Sequence, residues 1–397
     1  MPTSPSGENV EPTRRLLAAL LMAGSCLPIL GAVLIAPVLP RMQDHFAATP
    51  GASTLVPVAL TIPALSLALL APFAGLLADR LGRRRLLVGA AVAYAFVGTA
   101  PLWLDSLGAI IASRALVGVA EAVIMTCCTA LIGDYWSGRT RERYLALQTM
   151  CSALSATAFF VLGGAMGSAG WRTPFWAYAV SLLLAPVMAA VLRTPAHVAG
   201  TATEPDAGRA LPWRKLSASC ALTFFGAIVF YTVPVEMAYL LDDLGVTATA
   251  AVGAATAAAS LATVVGAIVF TRVAGRAEQL LPAVLALCAT GFGVMSFATG
   301  TPVLVIGAVL NCLGAGMLLP TLLTRTVALL DHTNRGRGTG LWNMAFFLGE
   351  FVCPLILLAT AAAVGSLAGA VGMLGAATAV VGCGRLLGRR RPAVVAA

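Results

Sequence analysis

Four ionisable side chains stand inside long apolar runs of this sequence: Arg114, Glu121, Glu236 and Glu350. A charge near the centre of a bilayer costs roughly 2.5–3.5 kcal/mol even on lenient insertion scales. Such residues therefore face a wet cavity or an opposite charge, and their chemistry is that of ions, protons and solutes. Arg114 and Glu121 are seven positions apart, so on a helix they share one face at about 10 Å along the axis. Gly118 lies between them on the same stripe and opens room for a ligand or a neighbouring helix. An arginine cannot release a proton; Arg114 would tune a nearby carboxylate or hold an anion. Glu121 is the expected proton carrier, because burial and Arg114 pull its protonation in opposite senses and substrate entry could tip that balance. The alternative is a static ion pair holding helices together. Glu350, in Phe-Phe-Leu-Gly-Glu-Phe, is either a proton or substrate group or a polar partner within its own bundle. Glu236 follows Pro234 within Tyr231–Tyr239; with Tyr231 it lines an outer gate or reaches interfacial water. Asn311 is a neutral cavity residue or one end of a buried interhelical bond.

The elements that must position these groups follow from composition. Of 397 residues, 59% are hydrophobic and only 10% charged, and the mean hydropathy is +0.92. A soluble domain carries about 25% charged residues, so a cytosolic enzyme, a nucleic-acid-binding module and a disordered chain are all excluded. Twelve runs are long enough for spanning helices: 16–39, 54–78, 86–104, 107–131, 144–168, 173–192, 216–240, 247–270, 280–299, 302–324, 340–362 and 365–384. The first is too long, and too far behind its polar lead, to read as a cleavable signal. Lipid cannot satisfy backbone groups, so each run must be helical. Of the 25 Lys and Arg, 22 fall on the side that holds the N-terminus, Arg41 and Arg172 fall on the other, and Arg114 lies within a span. The positive-inside rule then places both termini in the cytoplasm. The nine Cys all lie in apolar runs, none with ligand-type spacing to His, and read as buried, reduced small hydrophobes. No metal site or cofactor is expected.

The longest polar interruption, 193–215, reads as a cytoplasmic linker between two sets of six spans, 16–192 and 216–384, with residues 1–15 and 385–397 as cytoplasmic ends. A 6+6 plan places a substrate site between the halves near mid-membrane.

Between spans two and three stands Gly75-Leu-Leu-Ala-Asp79-Arg80-Leu-Gly82-Arg83-Arg84-Arg85. This resembles the Gly-x-x-x-Asp-Arg-x-Gly-Arg-Arg signature of the major facilitator superfamily, at the place in the topology where that family carries it. The resemblance implies an all-α membrane protein of two six-helix bundles that moves solutes by alternating access. It also implies that Asp79 faces the start of span eleven, near Gly340, and that Arg80 pairs with Asp134 at the cytoplasmic end of span four, latching that side shut. Gly75 removes a side chain where a helix approaches, and Asp79 suits a helix N-terminus. A faded copy, Gly266-Ala-Ile-Val-Phe-Thr-Arg272-Val-Ala-Gly275-Arg276, follows span eight without the acidic residue.

Arg114-Ala-Leu-Val-Gly118 is similar to the span-four motif of proton-coupled drug exporters in this superfamily, where the arginine is tied to proton transfer. Spans one, four, seven and ten line the cavity in that family. Here they offer small and apolar side chains, with Phe224, Phe225, Phe230 and Tyr231 on span seven, which suits a lipophilic solute better than a sugar. Two departures stand out. Span five keeps Gly163-Gly164, but Ser155, Phe159 and Phe160 replace the glycines and proline that exporters carry there, and span one lacks an acidic residue. The expected protein is a bacterial inner-membrane exporter of a small organic solute in exchange for protons, active as a monomer, with no enzymatic activity, ATP-binding loop or nucleic-acid partner. A proton-coupled importer, a dedicated metabolite or siderophore exporter, and a non-transporting sensor or scaffold are the other readings.

Overall fold

In a computed structural model, residues 10–71, 73, 78, 80–192, 212–273, 277–331 and 334–389 are described. Among them twelve helices are long and apolar enough to cross a membrane. They are α1 (Val10–Val33), α2 (Ala52–Leu70), α3 (Arg83–Thr99), α4 (Leu107–Tyr135), α5 (Gly138–Gly167), α6 (Thr173–Val191, its first turns 3-10), α7 (Trp213–Asp243), α8 (Thr249–Val273), α9 (Ala277–Ser296), α10 (Thr301–Ala328), α11 (Arg335–Val364) and α12 (Leu367–Arg389). Each expected span has its helix. Several extend further: α5 begins six residues before the expected start, through Arg139, Arg141 and Arg143, and α11 starts at Arg335 rather than near Gly340. Hydropathy marks only the part of a helix that lipid covers, and hydrogen bonding carries the helix beyond it. Gly75, Asp79, Gly275 and the expected linker up to residue 211 lie outside the described residues.

The packing repeats with an offset of six helices. In the first half α4 contacts α1, α2 and α3, α5 lies on α1, and α6 on α3; in the second α10 contacts α7, α8 and α9, α11 lies on α7, and α12 on α9. The halves meet along α5–α8 and α2–α11, and that same offset exchanges these two seams. Close backbone approach makes the first seam. A Cβ on Gly164 would strike Gly253 and the Thr249 carbonyl, one on Gly163 the Leu34 carbonyl just after α1, and Thr249 Oγ1 donates to the Gly164 carbonyl at 3.0 Å. The small-residue stripe of span five thus brings the halves together, as small residues do between membrane helices. Apolar side chains such as Leu69, Trp176, Leu183 and Phe297 are exposed on the outside of the bundle, where lipid would cover them. Five cysteines are buried, but Cys383 is exposed, so burial does not extend to all nine.

Candidate functional site

All four embedded charges point inward: Arg114 is 0% exposed, Glu121 1%, Glu236 5% and Glu350 7%. The site is assembled where α1 stops. This helix ends at Val33, four residues before Pro37, and continues as a short helix, Leu39–His45. Its last-turn carbonyls lose their usual N–H partners, and in an apolar interior each would otherwise cost several kcal/mol. Buried side chains take them. Arg114 Nη2 of α4 donates to the Gly31 carbonyl at 2.6 Å, and Tyr231 Oη of α7 donates to the Ala32 carbonyl at 2.7 Å. The remaining arginine donors reach the Ala59 carbonyl of α2 at 3.2 Å and Tyr178 Oη of α6 at 2.5 Å, with the guanidinium carbon 5.3 Å from the Tyr178 ring centroid. Tyr94 of α3, beside Tyr178, donates to the Leu27 carbonyl at 2.6 Å. One arginine therefore joins four helices.

Glu121 is treated differently. Its carboxyl packs on the bare Cα of Gly31, where any Cβ would collide with it, and Oε1 has no hydrogen-bond partner. No ion pair joins Glu121 to Arg114 among the described residues, although the two feel each other's charge. The static ion pair foreseen as the alternative is therefore not what the geometry shows.

Glu350 of α11 lies in the wall of a cavity of about 180 Å³ between the halves. Ile29 and Ala32 of α1, Phe160 of α5, Phe230 and Tyr231 of α7 and Cys312 of α10 are among its other walls. The walls are overwhelmingly apolar, and Glu350 is the ionisable carboxyl among them. At the end with few arginines Arg41 ties the halves together, donating to the carbonyls of Gly167 (3.0 Å) and Thr247 (3.4 Å), one in each half, and at the level of the cavity Thr157 Oγ1 meets Ser260 Oγ at 3.2 Å. The buried residues of α5 (Phe160, Gly163, Gly164 and Gly167) all lie in its last third, so the halves are held together at this end. At the arginine-rich end a larger pocket, about 520 Å³, is lined by Arg83, Thr129, Asp134 and Arg141 together with Asn343 of α11.

Several expectations are corrected. Asp134 accepts from Arg83 Nη1 at 2.5 Å, not from Arg80, which is exposed. Gly82, at φ +82°, is in the left-handed region just before α3 and sets the direction in which the arginines leave. Gly118 opens no space for a ligand: a Cβ there would meet the backbone of Pro63 on α2, so it serves helix contact. Asn311 does not line the central cavity. Its backbone packs against Gly291 of α9 and accepts from Cys288 Sγ at 3.7 Å, while its buried side-chain oxygen and nitrogen have no hydrogen-bond partner among the described residues, so the side-chain bond between helices is not formed there. Glu236 is also absent from the central cavity and lines a separate pocket, described below. Tyr178, Tyr94 and Gly31 escaped the reading of the sequence. Pro28 and Pro37 were the available signal, since a proline-interrupted span leaves carbonyls that something must satisfy.

A fold of two six-helix halves around a closed cavity, with buried charges at its centre, is that of a solute carrier, and the comparisons agree. The profile of the Major Facilitator Superfamily matches residues 21–276 and 219–396. The chain belongs to this family, whose members are transporters and not enzymes. It is 34% identical over 159 residues to the class C tetracycline resistance protein of Escherichia coli, covering 39% of each chain. It is 29% identical over 201 residues to the multidrug efflux pump LfrA of Mycolicibacterium smegmatis, covering 50% of this chain and 38% of that one. The chain thus spans about two fifths of the length of the curated relatives it matches. Among solved structures, a D-xylose-proton symporter superposes with a TM-score of 0.80 at 13% identity, covering 94% of this chain and 97% of the other. A bacterial homologue of the lysosomal transporter Spinster, inward-facing and unoccupied, gives 0.69 at 16% identity, covering 95% of each. At these identities the likeness is one of fold.

Proposed function

We propose that this transporter exports a small lipophilic organic solute across a bacterial inner membrane in exchange for protons, by rocking of the units 16–192 and 216–384 about the central cavity. The observation that carries the reading is the state of the two carboxyls beside the break in α1. Arg114 is committed to two carbonyls and a phenol, so Glu121 is buried with an oxygen that no donor reaches. Binding and release of a proton there changes the charge at the one place where α1, α4 and, through Tyr231, α7 meet. Glu350 faces the solute in a wall that offers few hydrogen-bonding groups, which suits a lipophilic molecule and not a sugar. The printed names of the relatives, tetracycline resistance protein and multidrug efflux pump, favour outward movement. The latch of this reading is Arg83 with Asp134 at the arginine-rich end, taken as cytoplasmic by the positive-inside rule, with Gly75, Asp79 and Arg80 of the same sequence motif as its further members.

Everted membrane vesicles with an imposed pH gradient test the proposal, with tetracycline and a lipophilic fluorescent dye as probes. Gradient-driven accumulation is expected for at least one, and Glu121→Gln is expected to reduce it by roughly a hundredfold, the scale of a lost proton-transfer group. Accumulation that survives collapse of the gradient would remove proton exchange from the mechanism. Driven movement in the opposite direction would replace export by import.

A further inference from the structure

A second buried carboxyl lies apart from the central site. Glu236 of α7 is only 5% exposed and lines a pocket of about 410 Å³ at the arginine-poor end, with Gln43, Pro57, Tyr239, Asp243 and Pro354 among its walls. No hydrogen bond or ion pair to its carboxylate occurs among the described residues, and the Tyr239 hydroxyl beside it is likewise unpartnered. Among the described residues no basic side chain lines the pocket. The titratable groups in its wall besides Glu236 are Tyr239 and Asp243 of α7; Asp44 of the short helix after α1, Asp242 of α7 and Cys353 of α11 lie outside the wall but within electrostatic reach of Glu236 or Tyr239. From α2 and α12 the walls offer only Ser53, Pro57, Ser366 and Leu367. Arg41, two residues before Gln43 of the pocket wall, is engaged by the Gly167 and Thr247 carbonyls.

Inward of the pocket, α7 and α11 meet through polar side chains. Thr232 lies one turn below Glu236 on α7, and Cys353 lies about one turn from Glu350 on α11. Thr232 Oγ1 and Cys353 Sγ touch at 3.7 Å, and both turn toward the Ile228 carbonyl. Glu236, Thr232, Cys353 and Glu350 thus stand at successive turns along the α7–α11 contact, a polar seam whose middle is the Thr232–Cys353 contact.

We infer that Glu236 takes up the coupling proton from the far side of the membrane and passes it along the α7–α11 seam to Glu350. This rests on the proton-exchange reading above and adds to it the door through which the proton enters. The transfer balances simply. A hydronium ion in the pocket gives its proton to the Glu236 carboxylate and becomes water; the carboxylic acid then yields that proton to the Glu350 carboxylate, and Glu236 is ionised again. A metal cation is the poorer occupant, because it wants six or more oxygen ligands, whereas Asp242 and Asp243 are exposed and Glu236 is the one buried carboxylate in this wall.

The test uses purified full-length protein in proteoliposomes, with a pH gradient and the probe that wild type transports. Glu236→Gln is expected to slow gradient-driven transport at least about tenfold and to flatten the dependence of the residual rate on the pH of the pocket side, while Glu236→Asp recovers part of both. Thermal melting of each variant checks folding. Should Glu236→Gln not fold, Thr232→Val, which interrupts the seam without touching either carboxyl, is expected to slow driven transport with the pH dependence preserved. Wild-type coupling and pH dependence in Glu236→Gln or wild-type rates in Thr232→Val would overturn the inference and leave the exchange reading intact. In Glu236→Gln, loss of rate with an unaltered pH profile would mark a merely structural residue and overturn it as well. A wild type indifferent to the pH gradient would sink both readings together, and transport driven by sodium and abolished by Glu236→Gln would give the pocket to a metal ion.

Discussion

Arg114 works here as a planar fork, with its donors sent to Gly31, Ala59 and Tyr178 on three different helices. A lysine keeps the charge but has a single point of attachment. Arg114→Lys is therefore expected to leave at least one carbonyl unsatisfied, to lower stability by about 1–3 kcal/mol, and to abolish driven transport; melting and vesicle flux read the two effects. Gly31 is the complementary case. Gly31→Ala places a methyl group against the Glu121 carboxyl and is expected to cost about 1–3 kcal/mol by overpacking. In the double variant with Glu121→Ala that penalty is expected to shrink, so that the two changes are less than additive in melting experiments. At this scale the sequence was half legible. The four embedded charges announced themselves because lipid tolerates so few. What they touch did not, because an arginine's partners are set by where other helices stop, and Tyr178 and Tyr94 look like ordinary aromatic residues of apolar spans.

At the scale of elements, the seam between α5 and α8 depends on the absence of side chains. Gly164→Leu would drive a side chain into Gly253 and the Thr249 carbonyl, so the halves could not close at that end. The expected result is loss of transport, with spin labels placed on the last turn of α5 and the first turn of α8 farther apart than in wild type. Unchanged label distances would show that the seam can slide. Arg83 and Asp134 make the opposite kind of contact, ionic and only partly shielded, with 24% and 14% of their side chains exposed. An ion pair that water still reaches contributes only modestly to stability. Asp134→Asn is accordingly expected to leave the melting temperature within a few degrees of wild type while slowing transport, and the charge-swapped Asp134→Arg, Arg83→Asp variant should recover part of the rate. The spans themselves were readable, since twenty apolar residues in lipid have no structure open to them but a helix. Their ends were not, because polar turns such as 138–143 continue the helix without a hydropathic trace. The choice of Arg83 over Arg80 as the partner of Asp134 was not legible either, since adjacent basic residues differ in direction only once Gly82 has turned the chain.

For the whole molecule, the packing of the first six helices returns in the second six, and the two seams between the halves exchange under that same operation. The arginines distinguish one end from the other. A tag on the C-terminus is expected to react with antibody only after the cells are permeabilised; staining of intact cells would invert the orientation and move Glu236 to the cytoplasmic side. The two-part plan could be read from the long polar interruption at mid-chain and from the charge pattern. The cavity could not, because no local pattern tells which face of α7 or α11 looks inward and which looks at lipid.

Arg41 is a bolt whose keepers are both main-chain carbonyls, one from each half. Exchanging the side chains at 167 or 247 leaves those oxygens in place, so mutation at the receiving ends cannot delete the fastening outright. Only position 41 itself can. A random mutagenesis screen for carriers that gape at this end should therefore return repeated hits at codon 41 and at codon 167, where any Cβ would strike Val38 and Thr249, with codon 247 almost silent.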